Sequence, residues 1–172
     1  MKTMNDPASG EERNIEARKK ALRLLEFADR TEKQLRDKLL EGGFSEEETE
    51  DALEYARSFH YLDDRRYAEN FVRARLGEKS LFEIRHMLRD RGVSPENIEL
   101  VLMQSEEQEE GSDRETVERL FLKKYGRQDL SDPKVYERAF RYFSNRGFRY
   151  EDIRAALEAA IGRAEEDPFS EE

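Results

Sequence analysis

Apolar positions along the chain fall into a register that is written three times, each copy turning on a glycine followed by an apolar residue: Gly43 and Phe44, Gly92 and Val93, Gly147 and Phe148. Nine places before that apolar residue stand Leu35, Ile84 and Ala139, and five before it Leu39, Leu88 and Phe143. Five, eight and nine places after it come Thr49, Ala52 and Leu53, then Ile98, Val101 and Leu102, then Ile153, Ala156 and Leu157. Spacings of three and four residues place each set on one face of a helix. A further amphipathic stretch precedes each pair: Ala21, Leu24, Leu25 and Ala28; Ala68, Phe71, Val72 and Leu76; Val117, Leu120, Phe121 and Tyr125. Each copy therefore reads as three helices. The glycines lie 49 and 55 residues apart, with the extra six residues in the loop around Gly126 to Ser131.

Polar residues at the helix starts repeat with the same register. Thr31 with Gln34 and Ser80 with Glu83 are capping boxes at identical offsets, in which side chain and backbone satisfy each other's orphan donors. The third copy places Ser131, Asp132 and Pro133 there, and proline suits a first turn because its missing N–H had no partner to lose. After the glycine, Ser45 with Glu48 forms another box and Ser94 precedes Pro95, whereas Arg149 is a poor cap, so the last helix is expected to fray first.

Units of this kind bury their apolar faces partly within themselves and partly on their neighbours. The expected fold is all-α, an elongated, curved array of three tandem three-helix repeats spanning 15–62, 63–112 and 113–163. Residues 1–14 are polar, with Pro7, Ser9 and Gly10, and 164–172 carry five acids around Pro168. Both ends are expected to be disordered.

Composition fits a thin core under a large surface, since charged residues make up 42% of the chain against about 25% in an average protein. Absence of cysteine removes disulfides, thiolate nucleophiles and sulfur metal sites. No run of about 18 apolar residues is present, nor an apolar stretch near the N-terminus. A cytoplasmic protein without a membrane role, and a monomer, is expected.

The formal net charge of −10 is unevenly spread. Gly42 to Glu54 holds six acids and no base, and Gln104 to Glu118 seven acids and one arginine. Between them, Arg65, Arg66, Arg73, Arg75, Lys79, Arg85, Arg89 and Arg91 outnumber four acids, and the third copy is basic again from Arg119 to Arg146. Alternating blocks suit a partner that presents both signs, although charges on thin helical arrays also serve simply to solvate helix faces. Arg85, Arg89 and Arg91, clustered at one helix end, form the strongest candidate patch, in a place where cations also favour the helix dipole.

Between the first and second copies runs Phe59, His60, Tyr61, Leu62, Asp63, Asp64, Arg65, Arg66, Tyr67, Ala68, then Phe71 and Val72. Asp63 reads as an N-cap, with Leu62 placed to pack on Tyr67 as a hydrophobic staple, so the paired aspartates need no catalytic role. This Tyr-Leu-Asp-Asp entry, set between copies hinged on Gly-apolar turns, resembles the RecX family of bacterial regulators. The resemblance extends over about Ile15 to Ile161 and includes Ala21 to Leu25, Leu35, Lys38 and Leu39, Arg75 with Leu76, the Arg85 to Val93 stretch, and Arg146, Gly147, Phe148 and Ile153.

The resemblance implies a modulator of the RecA recombinase, usually a negative one. Such a protein binds the RecA filament on single-stranded DNA, lies in its groove and contacts neighbouring subunits, so that filament extension, ATP hydrolysis, strand exchange and coprotease activity fall. It implies neither catalysis nor a cofactor. Family members can be considerably more basic, and a chain at −10 is expected to bind bare DNA weakly, reaching it mainly through the RecA filament. Local charge nominates Arg73, Arg75, Arg85, Arg89 and Arg91, backed by Lys123, Lys124, Arg141 and Arg146, for phosphate attraction or for pairing with acids on the recombinase.

Two other readings compete. Gln34 to Ala56 has helix-turn-helix proportions, yet its second helix carries Glu46, Glu47, Glu48, Glu50, Asp51 and Glu54, which would press acid on phosphate. A generic helical-repeat adaptor for another protein would use the same scaffold. An enzyme reading has little support: His60 and His86 are the only imidazoles, and neither a phosphate loop nor a metal-ligand spacing is present. Among the crowded aromatics of the third copy, Phe140, Phe143 and Phe148 read as core, and Tyr142, in a half-exposed register from which a ring could stack on a base, is also expected to pack as core.

Overall fold

The computed structural model describes residues 7–107 and 112–166. Among these, nine α-helices and no strand occur: α1 (Pro7–Phe27), α2 (Glu32–Glu41), α3 (Glu46–Ser58), α4 (Asp64–Arg75), α5 (Leu81–Asp90), α6 (Pro95–Glu107), α7 (Asp113–Tyr125), α8 (Pro133–Asn145) and α9 (Tyr150–Glu166). They form three tandem three-helix repeats. All fifteen residues of the glycine-aligned register are buried, from Leu35 to Leu157, with no more than 4% of any of them exposed.

All three glycine turns share one geometry. Gly43, Gly92 and Gly147 have φ of 86°, 84° and 79°, a left-handed conformation that glycine adopts without a Cβ clash. Around each, two backbone bonds close the preceding helix: Phe44 N–H to Leu39 O with Gly43 N–H to Leu40 O, Val93 to Leu88 with Gly92 to Arg89, and Phe148 to Phe143 with Gly147 to Ser144. This pair of bonds is the Schellman motif, which usually carries an apolar contact between the residue after the glycine and the helix end. In the third repeat that contact is visible as the rings of Phe143 and Phe148 meeting edge to face at 5.7 Å.

The caps form where the polar residues place them. Thr31 and Ser45 make complete capping boxes with Gln34 and Glu48, and Ser80 and Glu83 exchange bonds of 3.1 and 3.2 Å. Asp132 accepts from Lys134 N–H ahead of Pro133, and Asp63 accepts from Arg66 N–H as the cap of α4.

The chain divides into two compact units, one of the described residues through Asn70 together with Leu88–Glu99, the other of Phe71–Met87 together with Leu100 onward. In the first unit α1 lies along α3, and the core comprises Ala17, Ala21, Leu35, Leu39, Ala52, Leu53, Ala56 and Leu62. In the second, α7 lies along α9 over an aromatic core that includes Phe121, Tyr125, Phe143 and Phe148.

Three expectations are corrected. Helix α1 begins at Pro7 rather than near Ile15, so residues 7–14 are helical and not a disordered tail. Within this polar stretch Arg13 pairs with Glu48 and donates to Gly43 O, and one turn further on Arg18 makes two 2.7 Å bonds to Asp51. At the other end α9 continues through Ala164 to Glu166, while residues 1–6 and 167–172 lie outside the described residues. Ala28, expected on the buried face, falls beyond the end of α1 and is exposed.

Candidate partner-contact site

Two joints between repeats are built from the same parts. Thr31, the cap of α2, donates its hydroxyl at 2.6 Å to Arg91 O at the end of α5. Ser80, the cap of α5, donates at 2.7 Å to Arg146 O at the end of α8. The neighbouring backbone N–H of each capped helix is taken by an aspartate opening the next repeat: Glu32 N–H by Asp64 at 2.7 Å, and Leu81 N–H by Asp113 at 3.1 Å. Each bond satisfies an amide that a helix start leaves without an intrahelical partner. Asp64 is half-buried, and desolvation pushes its carboxyl above the ordinary range, helped by the charges of Glu32 and Asp63 and opposed by the Glu32 N–H.

The joints therefore give the paired aspartates separate tasks, since Asp63 caps its own helix and Asp64 clamps the preceding repeat. Sequence reasoning assigned Asp63 and missed Asp64. A signal was present, because Asp64 stands 33 residues after Thr31 and Asp113 stands 33 after Ser80.

The nine nominated cations separate by what their side chains already hold. Arg146 is committed to the fold: it donates to Glu78 O at 2.8 Å, reaches Glu83 at 3.4 Å and Tyr142 Oη at 3.2 Å, and lies over the Tyr142 ring. Lys124 rests its ammonium 4.5 Å from the centre of the same ring. Tyr142 thus holds two cations and is half-buried rather than open for stacking on a base. Arg75 packs on Phe71, its Nε buried without a hydrogen-bond partner. Arg85 and Arg91 are half-buried on the α5 side and at its end, respectively.

Arg73, Arg89, Lys123 and Arg141 remain exposed, and none makes an ion pair or hydrogen bond among the described residues. Free cations at the surface keep their charge available to an outside anion without first breaking an internal pair.

The acidic block of the first repeat is largely occupied by its own arginines. Glu48 is taken by Arg13, Asp51 by Arg18, and Glu50 by both Arg36 and Arg57. The Arg13 bond, ahead of its Coulombic attraction, holds the Glu48 carboxyl below its usual range, and Arg36 does the same for Glu50. These acids serve to pin α1 and α2 onto α3, the solvating and bracing use of charge. Among the described residues no group of three or more His, Cys, Asp or Glu could hold a metal ion, and no helix is long and apolar enough to cross a membrane.

Comparison with known proteins places this arrangement. Residues 17–55 match the model of the first three-helix domain of RecX, residues 63–102 that of the second and residues 112–157 that of the third, together more than half of the chain. The regulatory protein RecX of Haemophilus influenzae strain Rd is 34% identical over 133 residues, covering 76% of this chain and 85% of that one. Its counterpart in Clostridium perfringens strain 13 is 33% identical over 144 residues, which are 82% of this chain; the chain spans 66% of that relative's length. The crystal structure of RecX from Lactobacillus salivarius superposes with a TM-score of 0.74 at 20% identity, over 87% of this chain and 97% of that one, a likeness of fold. Three domain matches in tandem and a relative matched over most of its length establish that the chain belongs to the RecX family.

Proposed function

We propose that this chain is a regulator of the RecA recombinase that acts negatively, by binding the filament RecA forms on single-stranded DNA and limiting its extension, ATP hydrolysis, strand exchange and coprotease activity. The observation that carries the reading is the ordered succession of all three RecX domains in one chain. A row of similar units can meet successive subunits of a polymer, and each contact raises the effective concentration of the next. Such a role requires no reaction centre and no cofactor in this chain, which would act in the cytoplasm as a monomer.

Charge assigns the contacts to protein more than to bare DNA. At −10 the chain as a whole repels phosphate, so DNA would be reached within the filament, where the recombinase supplies much of the surface. The side chains proposed for the contact are Arg73, Arg89, Lys123 and Arg141 first, because they are uncommitted, then Arg85, Arg91, Arg75 and Lys124. Arg146 contributes by holding the second joint.

Co-sedimentation with RecA filaments assembled on single-stranded DNA tests the assignment. Reversing charge at Arg73, Arg89, Lys123 and Arg141 together is expected to weaken filament binding at least tenfold with helicity unchanged. Binding equal to that of the parent would overturn the placement of the contacts. Failure of the unaltered chain to sediment with filaments would overturn the function itself and leave a repeat adaptor for a different protein in its place.

A further inference from the structure

Each joint seats a capped helix start on a glycine turn, and repeat 1 carries a further turn of the same build with no helix start seated on it. Over Gly92 lies Lys33, two residues after the Thr31 cap, and over Gly147 lies Phe82, two residues after the Ser80 cap; each fills the place a Cβ would take. The residue before each of these glycines, Arg91 or Arg146, gives its carbonyl to the cap hydroxyl. Gly43 shares the left-handed φ and the two closing bonds, yet no atom lies within 4 Å of its Cβ position. Gly42 O, which matches the carbonyls of Arg91 and Arg146, accepts no hydrogen bond among the described residues. Phe44 is half-buried where its counterparts Val93 and Phe148 are buried.

The two filled joints show what such a turn receives: a helix start whose Ser or Thr hydroxyl donates to the carbonyl, and whose side chain two places on covers the glycine. Charge agrees, because the turn closes α2, whose terminal carbonyls carry partial negative charge complementary to the partial positive charge of a helix start. Exposed Glu41, Glu46 and Glu47 flank the turn and favour lysine over phenylalanine above Gly43. Arg13 donates to Gly43 O and lies over the Phe44 ring at 5.0 Å, one carbonyl away from Gly42 O. The aspartate of the filled joints has no match here, since Ile15 holds the place of Asp64 and Asp113, so the hydroxyl and glycine contacts carry the fit. A second copy offers no free start of the joint type: Thr31 and Ser80 are already engaged, and the third cap, Asp132, has no hydroxyl hydrogen to give. We infer that the Gly42–Phe44 turn is a docking face for the start of a helix on another protein, capped by Ser or Thr and carrying lysine two places further on. This face stands apart from the recombinase reading and is tested with no recombinase present.

The probe is a synthetic peptide of residues 29–41, the segment that fills the first joint, kept helical by a hydrocarbon staple across positions 36 and 40. It is titrated into the isotope-labelled full chain, and backbone amide shifts are followed by nuclear magnetic resonance. The amides of Gly42, Gly43 and Phe44 are expected to move saturably. Thr31→Val in the peptide should weaken binding about fivefold, the loss of one hydrogen bond, and Thr31→Asp should weaken it further. Gly43→Asn in the protein should abolish the shifts, since asparagine tolerates the left-handed backbone and fills the open place. If that variant does not fold, the three peptides carry the test. Unmoved turn amides, equal binding of the three peptides, or shifts that persist in a folded Gly43→Asn protein would overturn the assignment. Movement of the same amides with rising protein concentration and no peptide would overturn it in favour of a second copy.

Discussion

A hydrogen atom on Gly92 occupies a place where any other residue would put a Cβ 2.5 Å from the Cβ of Lys33, and on Gly147 the same atom would lie 2.4 Å from Cδ1 of Phe82. Gly43 has the same left-handed backbone and nothing within 4 Å. The three glycines therefore separate conformational cost from contact cost. Gly43→Ala is expected to destabilise by about 1–2 kcal/mol, the penalty of a left-handed non-glycine residue. Gly92→Ala adds an overlap that no rotamer of Lys33 relieves, for a total of about 2–5 kcal/mol. Gly147→Ala should fall between, because the half-exposed Phe82 can swing aside. Urea midpoints followed by circular dichroism check the order, and equal losses at all three positions would contradict the joint geometry.

Asp64 tests the other half of the joint. Asp64→Asn keeps an oxygen for the Glu32 N–H and should remain within about 1 kcal/mol of the parent at neutral pH, while Asp64→Ala, which leaves that amide unpaired, should lose about 1–3 kcal/mol. The sign of the pH dependence follows from the raised carboxyl. A carboxyl whose folded pKa exceeds its unfolded value contributes fully below the unfolded value and loses that contribution as pH rises through the folded one. The parent should therefore gain on the Asn variant as pH falls through the carboxylate range, and a parent that loses ground there would show that the hydrogen bond outweighs the burial.

At the scale of elements, caps and turns were legible because both partners of each bond lie within a few residues. Thr31 and Gln34, Ser45 and Glu48, and the three glycine turns need only local pairing, and all of them form. What stayed hidden joins residues far apart in the chain. The Thr31 hydroxyl meets a carbonyl 60 residues away and the Ser80 hydroxyl one 66 away. The N-terminal half of α1 was misread for the same reason: its sequence is polar, and the arginines that dock it find their acids more than 30 residues downstream. Of the nominated cations, sequence supplied the charges, while the Tyr142 ring and the Glu78 carbonyl that claim Lys124 and Arg146 emerge only from packing.

These differences in reach predict unequal costs for two chemically similar caps. Ser45→Ala removes a helix cap in solvent and is expected to cost about 0.5–2 kcal/mol. Ser80→Ala removes a cap and also the donor to Arg146 O, within a fully buried site, so about twice that loss is expected. Thermal or urea unfolding of the two single variants decides it. Equal losses would mean that the joint bond contributes nothing to stability.

At the scale of the whole molecule, the chain is a three-repeat protein of the RecX family with four exposed cations, Arg73, Arg89, Lys123 and Arg141, that make no side-chain ion pair among the described residues. Its direct affinity for single-stranded DNA should be weak and should fall steeply with salt, since at −10 only local patches attract phosphate. The most direct measurement of the central proposal is RecA ATP hydrolysis on preformed filaments, titrated with this chain in the absence of any competing regulator. Hydrolysis that declines at chain concentrations well below those needed to bind bare single-stranded DNA is the predicted result. Hydrolysis that stays constant up to concentrations at which the bare DNA is itself covered would contradict the account.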